Sequence, residues 1–182
     1  MFAIVLMELA TEEVERLGLD PERFRLFFED SLPYVYGYFL HRVGGNVGVA
    51  EDLTQETFLA LVSDLKRNRH ADVSLKWLYG IARHKLLDHY RRKTRHERLF
   101  TDTDEDLGDV PFDASGDDAR ERAVAALALV PVAQRAALVL RYLDGFSIPE
   151  VAATLDKSIE AIESLLARGR VSFKRAYLEA SS

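Results

Sequence analysis

The sequence predicts an all-α protein made of two small helical domains joined by an acidic, flexible linker. Apolar residues recur at steps of three and four on both sides of the linker, which is the spacing of helices that bury one face. Residues 101–119 hold eight acidic side chains and no Lys or Arg, a composition typical of a tether. We predict an N-terminal extension at 1–20, a first domain at 21–98, the linker at 99–119 and a second domain at 120–182.

The composition excludes several classes of function. Hydrophobic residues make up 48% of the 182 residues, enough to bury a core in each domain. Cysteine is absent, so disulfide frameworks, thiolate metal sites and cysteine nucleophiles are excluded. No segment approaches the roughly 20 apolar residues of a membrane span, and Phe2–Met7 is too short for a signal-peptide core. We expect a cytoplasmic protein with no direct membrane insertion, no cofactor and no small-molecule substrate.

The formal net charge of -6 arises in the linker. Residues 1–100 carry 15 basic and 15 acidic side chains, and residues 120–182 carry nine and seven. Because the acidity is local, it does not exclude nucleic acid as a partner. The linker itself is either a solvated tether or a nucleic-acid mimic that occupies a basic channel on a partner.

The first domain is predicted to contain three main helices. Thr11–Leu19 has the spacing of a short leading helix, and Asp20-Pro21-Glu22 supplies an N-cap, a proline at the first helical position and an acid in the first turn. Pro33 should kink or interrupt the helix that follows. A second helix from Ala50 buries Leu53, Phe58 and Leu61, and its polar side carries Asp52, Gln55 and Glu56. That polar side is either an ordinary solvated face or free for a partner.

The third helix, capped by Ser74, is strongly basic towards its end. Arg83–Arg98 holds seven Lys or Arg residues and two acids, which concentrates positive potential where a phosphate backbone could bind. Leu87 is an apolar exception within the basic stripe. Trp77 is either a core residue or a stacking partner for a base.

The second domain carries the pattern of a helix-turn-helix. Ser147 and Glu150 form a capping box for a short helix, Asp156-Lys157-Ser158 makes a tight turn, and a long helix begins at Ile159. Early turns of such a second helix enter the major groove, and later cations reach phosphates. The predicted base-edge contacts are Lys157, Ser158, Glu160, Ala161 and Ser164, and the predicted phosphate contacts are Arg168, Arg170 and Lys174.

These segments together resemble the group IV, or extracytoplasmic-function (ECF), sigma factors of bacterial RNA polymerase. The resemblance rests on Ala50–Phe58 as the polymerase-binding helix of sigma region 2, on Trp77–Arg83 with Asp88 and Arg91 as its promoter-opening part, and on Leu129–Arg170 as sigma region 4. It implies a region 2 helical bundle, a region 4 helix-turn-helix, and the partners core RNA polymerase, promoter DNA and an anti-sigma factor.

The resemblance also implies roles for individual residues. Asp52, Gln55 and Glu56 would bind the coiled coil of the polymerase largest subunit, and region 4 would read the minus-thirty-five element. The minus-ten element would be held by a base-capturing loop and by cations of the basic helix. These residues are Asn68, Arg69 and His70 in the loop, and Arg83, Lys85, Arg91 and Arg92 in the helix.

Three positions depart from the family pattern. His84 stands where Asn is usual, Asp156 where Gly is usual, and Glu163 where Lys is frequent. An Asp is tolerated at a left-handed turn position.

Two other classes of function remain as alternatives. The runner-up is a stand-alone helix-turn-helix regulator of transcription, whose first domain binds a ligand or dimerises. An enzyme would have to use His84, Asp88 and His89, whose helical spacing supplies no third ligand or pocket, so we predict that the protein is not an enzyme.

Overall fold

The computed structural model describes residues 2–67, 73–96 and 117–179, and these residues are helical apart from short turns. The predicted all-α class is confirmed. The chain divides into two compact units, of which the first comprises Met1–His41 and Asn46–Leu86, and the second Arg42–Gly45 and Leu87–Ser182. The division within the basic helix differs from the linker-based domain boundaries, which stay a prediction.

The first unit is built from α1 (Phe2–Arg16), most of α2 (Pro21–Arg42), α3 (Val47–Arg67) and the first half of α4 (Leu75–His96). Phe28 and Phe58 join α2 to α3 with ring centroids 4.4 Å apart. Burial of such large apolar side chains is the main stabilising term, about 1.5–3 kcal/mol for each. Other fully buried side chains of this core are Val35, Phe39, Leu53, Leu61, Leu65, Leu78, Ala82 and Leu86.

Helix α1 begins earlier than the predicted Thr11 and ends before Leu19. Leu6, Ala10 and Val14 recur every four residues and are all buried. The α1 helix packs against α3, where Glu13 pairs with Lys66 at 2.7 Å. Leu6, Ala10 and Val14 therefore form the core-facing side of this helix.

Helix α2 begins as predicted, since Asp20 Oδ1 accepts the backbone N–H groups of Glu22 at 3.0 Å and Arg23 at 3.1 Å. The predicted interruption at Pro33 is wrong, because α2 continues through it to Arg42. Phe28 before the proline and Val35 after it are both buried. Their burial offsets the hydrogen bond that proline removes.

The second unit contains α5 (Asp117–Leu129), α6 (Val132–Leu138), a π-helical turn (Val139–Leu143), α7 (Ile148–Leu155) and α8 (Ile159–Glu179), together with the second half of α4. The helix predicted from Pro131 to Asp144 runs without a break from Val132 to Leu143, and its last five residues form the π-helical turn. Gly169 lets α8 approach α6 closely, since a Cβ there would lie 3.1 Å from Leu138 Cγ. The core of the unit includes Ala136, Leu140, Val151, Ile162 and Leu166.

Candidate polymerase and nucleic-acid interfaces

The polar side of α3 is available to a partner. Asp52 is exposed, and Gln55 and Glu56 are half-buried, while Leu53 and Phe58 of the same helix are buried. The three polar residues follow one another at steps of three and one, so they share a side of the helix. The structure brings them together as predicted.

Leu59 belongs to the same surface and was missed in the sequence. Its side chain is 47% exposed, although leucine in a helix of this kind usually faces the core. Leu59 lies three residues after Glu56 and four after Gln55, which places it beside both. The sequence could have predicted this exposure, because Leu59 falls outside the apolar stripe that contains Phe58 and Leu61.

Glu56 also contacts the basic helix. Lys85 Nζ of α4 lies 3.4 Å from Glu56 Oε2, and both side chains are partly exposed. One residue predicted to bind polymerase therefore pairs with one predicted to bind DNA. The pair is solvent-accessible, so its contribution to stability is small, of order 0.2–1 kcal/mol.

The loop predicted to capture a base, Asn68, Arg69 and His70, lies outside the described residues. The helix after it begins as expected, since Ser74 Oγ accepts the backbone N–H of Trp77 at 3.3 Å. The Trp77 side chain is half-buried.

The predicted minus-ten cations of α4 divide between two sides of the helix. Arg83, Arg91 and Arg92 are exposed, whereas Lys85 is half-buried against Glu56. At about 100° per residue, Arg91 lies about 80° from Arg83 around the helix, whereas Lys85 and Arg92 lie about 200° and about 180° from it. The structure therefore does not gather the four cations into one stripe, and it buries Leu87, the apolar exception between Arg83 and Arg91.

Arg91 is held by two partners within the second unit. Its Nη1 lies 3.3 Å from Asp88 Oδ1, and its Nε donates to the backbone carbonyl of Thr154 at 2.7 Å. The guanidinium is still 46% exposed. A guanidinium carries five N–H donors, so these two contacts do not by themselves prevent Arg91 from contacting a phosphate.

The helix-turn-helix has the expected local geometry. Glu150 Oε2 accepts the backbone N–H of Ser147 at 2.8 Å and its hydroxyl at 2.7 Å, completing the capping box of α7. Ala152 is buried, as a close helix crossing requires. Asp156 adopts the left-handed conformation that ends α7, with φ 54° and ψ 52°. This is the position where a glycine is usual.

The start of α8 presents its predicted contact side. Ser158 Oγ accepts the backbone N–H of Ala161 at 3.2 Å, so this hydroxyl caps the helix. Glu160 and Ser164 are exposed, and Lys157 and Ala161 are half-buried. The Glu160 pKa lies below its usual value, because the carboxylate accepts its own backbone N–H and the Ser158 hydroxyl. Glu160 is thus negatively charged at neutral pH and stabilised by the helix N-terminus.

The predicted phosphate contacts further along α8 differ in their exposure. Arg170 and Lys174 are exposed, whereas Arg168 is half-buried, with a buried Nε that has no hydrogen-bond partner among the described residues. Arg170 Nη1 lies 3.3 Å from the hydroxyl of Tyr142, an exposed residue of the π-helical turn. Sequence reasoning missed Tyr142, because the turn that displays it reads as ordinary helix.

The histidine and carboxylate of the enzyme hypothesis lie on the surface of the parts of the chain that the structure describes. His84 and Asp88 are exposed, and these parts hold no group of three His, Asp or Glu side chains that could bind a metal. Among the same residues, no helix combines the length and apolarity needed to cross a membrane.

The family comparisons identify the class of protein to which this bundle and helix-turn-helix belong, the bacterial sigma factors. The chain matches the models of Sigma-70 region 2 over residues 27–96 and of Sigma-70 region 4 over residues 120–172. It belongs to the ECF family of RNA polymerase sigma factors. The predictions of family, transcription initiation, polymerase binding and promoter DNA binding are confirmed at the level of the family.

Individual relatives show the extent of the similarity. The chain is 34% identical over 126 residues to the ECF RNA polymerase sigma factor SigC of Mycobacterium tuberculosis, covering 69% of this chain and 68% of SigC. It is 31% identical over 162 residues to the ECF RNA polymerase sigma factor BldN of Streptomyces coelicolor, covering 85% of this chain and 60% of BldN. A solved complex of the sigma factor RpoE with the anti-sigma factor NepR from Bartonella quintana aligns with 21% identity and a TM-score of 0.46, covering 85% of this chain and 96% of RpoE.

Proposed function

We propose that this chain binds core RNA polymerase through one side of α3, formed by Asp52, Gln55, Glu56 and Leu59. The observation that carries the proposal is that Asp52 and Leu59 are exposed and Gln55 and Glu56 are half-buried on one side of α3, whereas Leu53, Phe58 and Leu61 of the same helix are buried in the core. An exposed apolar side chain with acids and an amide beside it can supply an apolar contact surrounded by a polar rim.

The proposed DNA contacts follow the two promoter elements. The loop Asn68–His70 would take a base extruded from the minus-ten element, because an unstacked base needs a pocket. Arg83, Lys85, Arg91 and Arg92 would supply cations to the opened strand. Lys157, Ser158, Glu160, Ala161 and Ser164 would face base edges at minus thirty-five, with Arg168, Arg170 and Lys174 on phosphates.

Promoter binding of this kind requires no covalent chemistry, so the protein would act as a non-enzymatic initiation factor in the cytoplasm. The acidic linker would lie along a basic channel of the polymerase, where its carboxylates would substitute for nucleic-acid phosphates. An anti-sigma factor would regulate the chain by competing for the same surfaces that polymerase and DNA use.

A binding assay separates this function from that of a stand-alone regulator. Labelled protein is titrated with core RNA polymerase, and in parallel with duplex DNA in the absence of polymerase. We expect saturable binding to core polymerase, and specific retardation of duplex DNA only when polymerase is present. Tight, specific duplex binding by the free protein, without polymerase binding, would favour the stand-alone regulator.

A further inference from the structure

Helix α1 borders the side of α3 that is proposed to bind polymerase. The two helices pack together, and Glu13 Oε1 of α1 lies 2.7 Å from Lys66 Nζ of α3. Lys66 follows Leu59 by seven residues, so at about 100° per residue their side chains lie within about 20° of each other around α3. The Glu13–Lys66 pair therefore joins α1 to the side of α3 that carries Leu59.

A second exposed leucine lies on the matching side of α1. Leu9 is 57% exposed, and it precedes Glu13 by four residues, which places it one helical turn away and about 40° around the helix. Because Glu13 pairs with Lys66, and Lys66 shares a side of α3 with Leu59, the two exposed leucines lie on one face of the α1–α3 pair. We call Leu9 and Leu59, together with the Glu13–Lys66 pair, the leucine face.

The two leucines are also close along the helix axes. The connections at 17–20 and 43–46 are short, so successive helices run in opposite directions, and α1 and α3 run in the same direction. Counted back from the Glu13–Lys66 pair, Leu9 is then level with Val62, about one helical turn beyond Leu59. The leucine face thus carries two neighbouring apolar side chains from different helices.

Charged side chains border the leucine face. Arg16 Nη1 lies 3.1 Å from Glu13 Oε2, and Arg16 Nη2 lies 3.9 Å from Glu12 Oε2. With the Glu13–Lys66 pair, these contacts form a chain of alternating charges that runs from α1 to α3. Apolar side chains beside a charged, solvent-accessible border have the anatomy of a protein–protein contact.

The size of a stable interface indicates which partner uses this face. Asp52, Gln55, Glu56 and Leu59 are four side chains, whereas a standard interface buries about 800 Å² on each partner and involves about 20–30 residues a side. A surface that binds polymerase through α3 therefore continues onto a neighbouring helix. Towards α4 it meets the cation of Lys85, and towards α1 it meets a second exposed leucine.

We propose that the leucine face is part of the surface that binds core RNA polymerase, with Leu9 as an apolar contact beside Leu59. The inference rests on the proposed function and extends its polymerase surface from α3 to α1, a helix that precedes the segment 27–96 matched by the family model. The matching site on the polymerase would be an apolar groove bordered by charges of both signs, because the border of the leucine face carries both.

Site-specific photocrosslinking tests the contact directly. In three separate full-length proteins, Leu9, Leu59 or Glu15 is replaced by the photoreactive amino acid p-benzoylphenylalanine. Glu15 is exposed and lies about 120° from Leu9 around α1, so it is the control. Each protein is irradiated with core polymerase, and the crosslinked peptides are identified by mass spectrometry. We expect positions 9 and 59 to crosslink to neighbouring segments of one polymerase subunit, and position 15 to give no crosslink.

The crosslinks separate this inference from the proposed function. Absence of a polymerase crosslink from position 9 overturns the leucine face as a polymerase contact, whatever position 59 does. A crosslink from position 9 to a second copy of the chain overturns it as well, because the face would then join two copies. Absence of a crosslink from position 59 counts separately against the polymerase surface of α3.

Substitutions then measure the contribution of Leu9. Leu9→Ala should lower affinity for core polymerase about fivefold, as for a residue that matters in an interface, while its melting temperature stays close to that of the parent because the side chain is exposed. Leu9→Met keeps an apolar side chain of similar size and should bind like the parent. Leu26→Ala truncates a 50% exposed leucine of α2 and is the matched control.

Unchanged affinity in Leu9→Ala overturns the proposal, and so does an equal loss in Leu26→Ala, which would show a general effect of lost apolar surface. Loss in Leu9→Ala, with parent-like binding by Leu9→Met and Leu26→Ala, supports it. Failure of the unsubstituted protein to bind core polymerase would instead count against the proposed function itself.

Discussion

Lys85 Nζ lies 3.4 Å from Glu56 Oε2, so the helix proposed to bind polymerase and the helix proposed to bind opened DNA are joined by an ion pair. The pair is partly exposed and does little for stability. A polymerase cation that engages Glu56 would release Lys85 towards DNA. Binding free energies are reciprocal, so DNA that engages Lys85 would equally make Glu56 available to polymerase.

Removing the Glu56 charge should weaken binding to core polymerase and leave the stability of the fold almost unchanged. We expect Glu56→Gln to lower affinity for core polymerase about tenfold, while the free energy of unfolding changes by less than about 1 kcal/mol, as for an exposed ion pair. Fluorescence titration with core polymerase and urea unfolding measure the two quantities. Glu51→Gln removes the same charge about 140° away on α3 and should bind normally. Equal losses in both variants would show a general charge effect rather than a contact at Glu56.

Truncating Leu59 should weaken polymerase binding without unfolding the protein. A buried leucine costs 2–5 kcal/mol when cut to alanine, but Leu59 is 47% exposed, so Leu59→Ala should cost well under 1 kcal/mol of stability. Affinity for core polymerase should fall at least fivefold, as for a hot-spot residue. Leu26→Ala, a 50% exposed leucine of α2, is the control. Unchanged affinity in Leu59→Ala would remove this residue from the polymerase surface.

Asp156 offers a prediction about backbone strain. Its φ of 54° is accessible to glycine without steric cost, so Asp156→Gly should stabilise the second unit by about 0.5 kcal/mol. Asp156→Ala should destabilise it, since alanine lacks the short polar side chain that tolerates this region. Urea unfolding midpoints compare the three proteins. As a control, the same residues are compared at a position of negative φ. If glycine were again the most stable and alanine the least stable there, the explanation by the left-handed φ would be contradicted.

Glu163 is exposed on α8, among the residues proposed to face DNA. If that side lies against promoter DNA, Glu163→Lys should tighten binding of duplex minus-thirty-five DNA by the holoenzyme, and should steepen its logarithmic salt dependence by about 0.9 for one added phosphate contact. As a control, Glu121→Lys makes the same charge change at an exposed position of α5. An identical effect of both substitutions would mean that net charge, not a local contact, is responsible.

The Glu13–Lys66 pair predicts a pH dependence. Hydrogen bonding to Lys66 lowers the pKa of Glu13 below its ordinary 4.5. A carboxyl whose pKa is lower in the folded state stabilises the fold above pH 4.5, and this stabilisation is lost as the pH falls through the folded pKa. The Lys66→Met variant should therefore have a lower melting temperature than the parent protein at pH 7. The difference between the two melting temperatures should shrink below pH 4.5. A difference that does not vary with pH would assign the effect to packing between α1 and α3.

Local patterns predicted much of the fold. Capping residues at Asp20, Ser74 and Ser147, and the turn at Asp156, lie where the sequence placed them, because each signal is satisfied within four residues of the chain. The errors occurred where tertiary packing decides. The helix α2 continues through Pro33 because residues on either side of the proline are buried. The helix α1 begins before the predicted residue because its apolar side packs against α3.

The candidate interfaces were only partly predictable for the same reason. Asp52, Gln55 and Glu56 share a side of one helix, which the helical period alone defines. The period could not show that Lys85 turns towards Glu56, or that Tyr38 meets Tyr79, because these contacts join different helices. Tyr142 of the π-helical turn contacts Arg170 of α8, and this contact also joins two different helices.

Initiation from fully duplex DNA tests the central claim most directly. Core RNA polymerase is mixed with the purified chain and a genomic DNA library, and the 5′ ends of the transcripts are sequenced. The account predicts transcripts that begin at discrete sites sharing two upstream sequence elements, present with the chain and absent with core polymerase alone. Starts distributed at random, or unchanged when the chain is omitted, would contradict it.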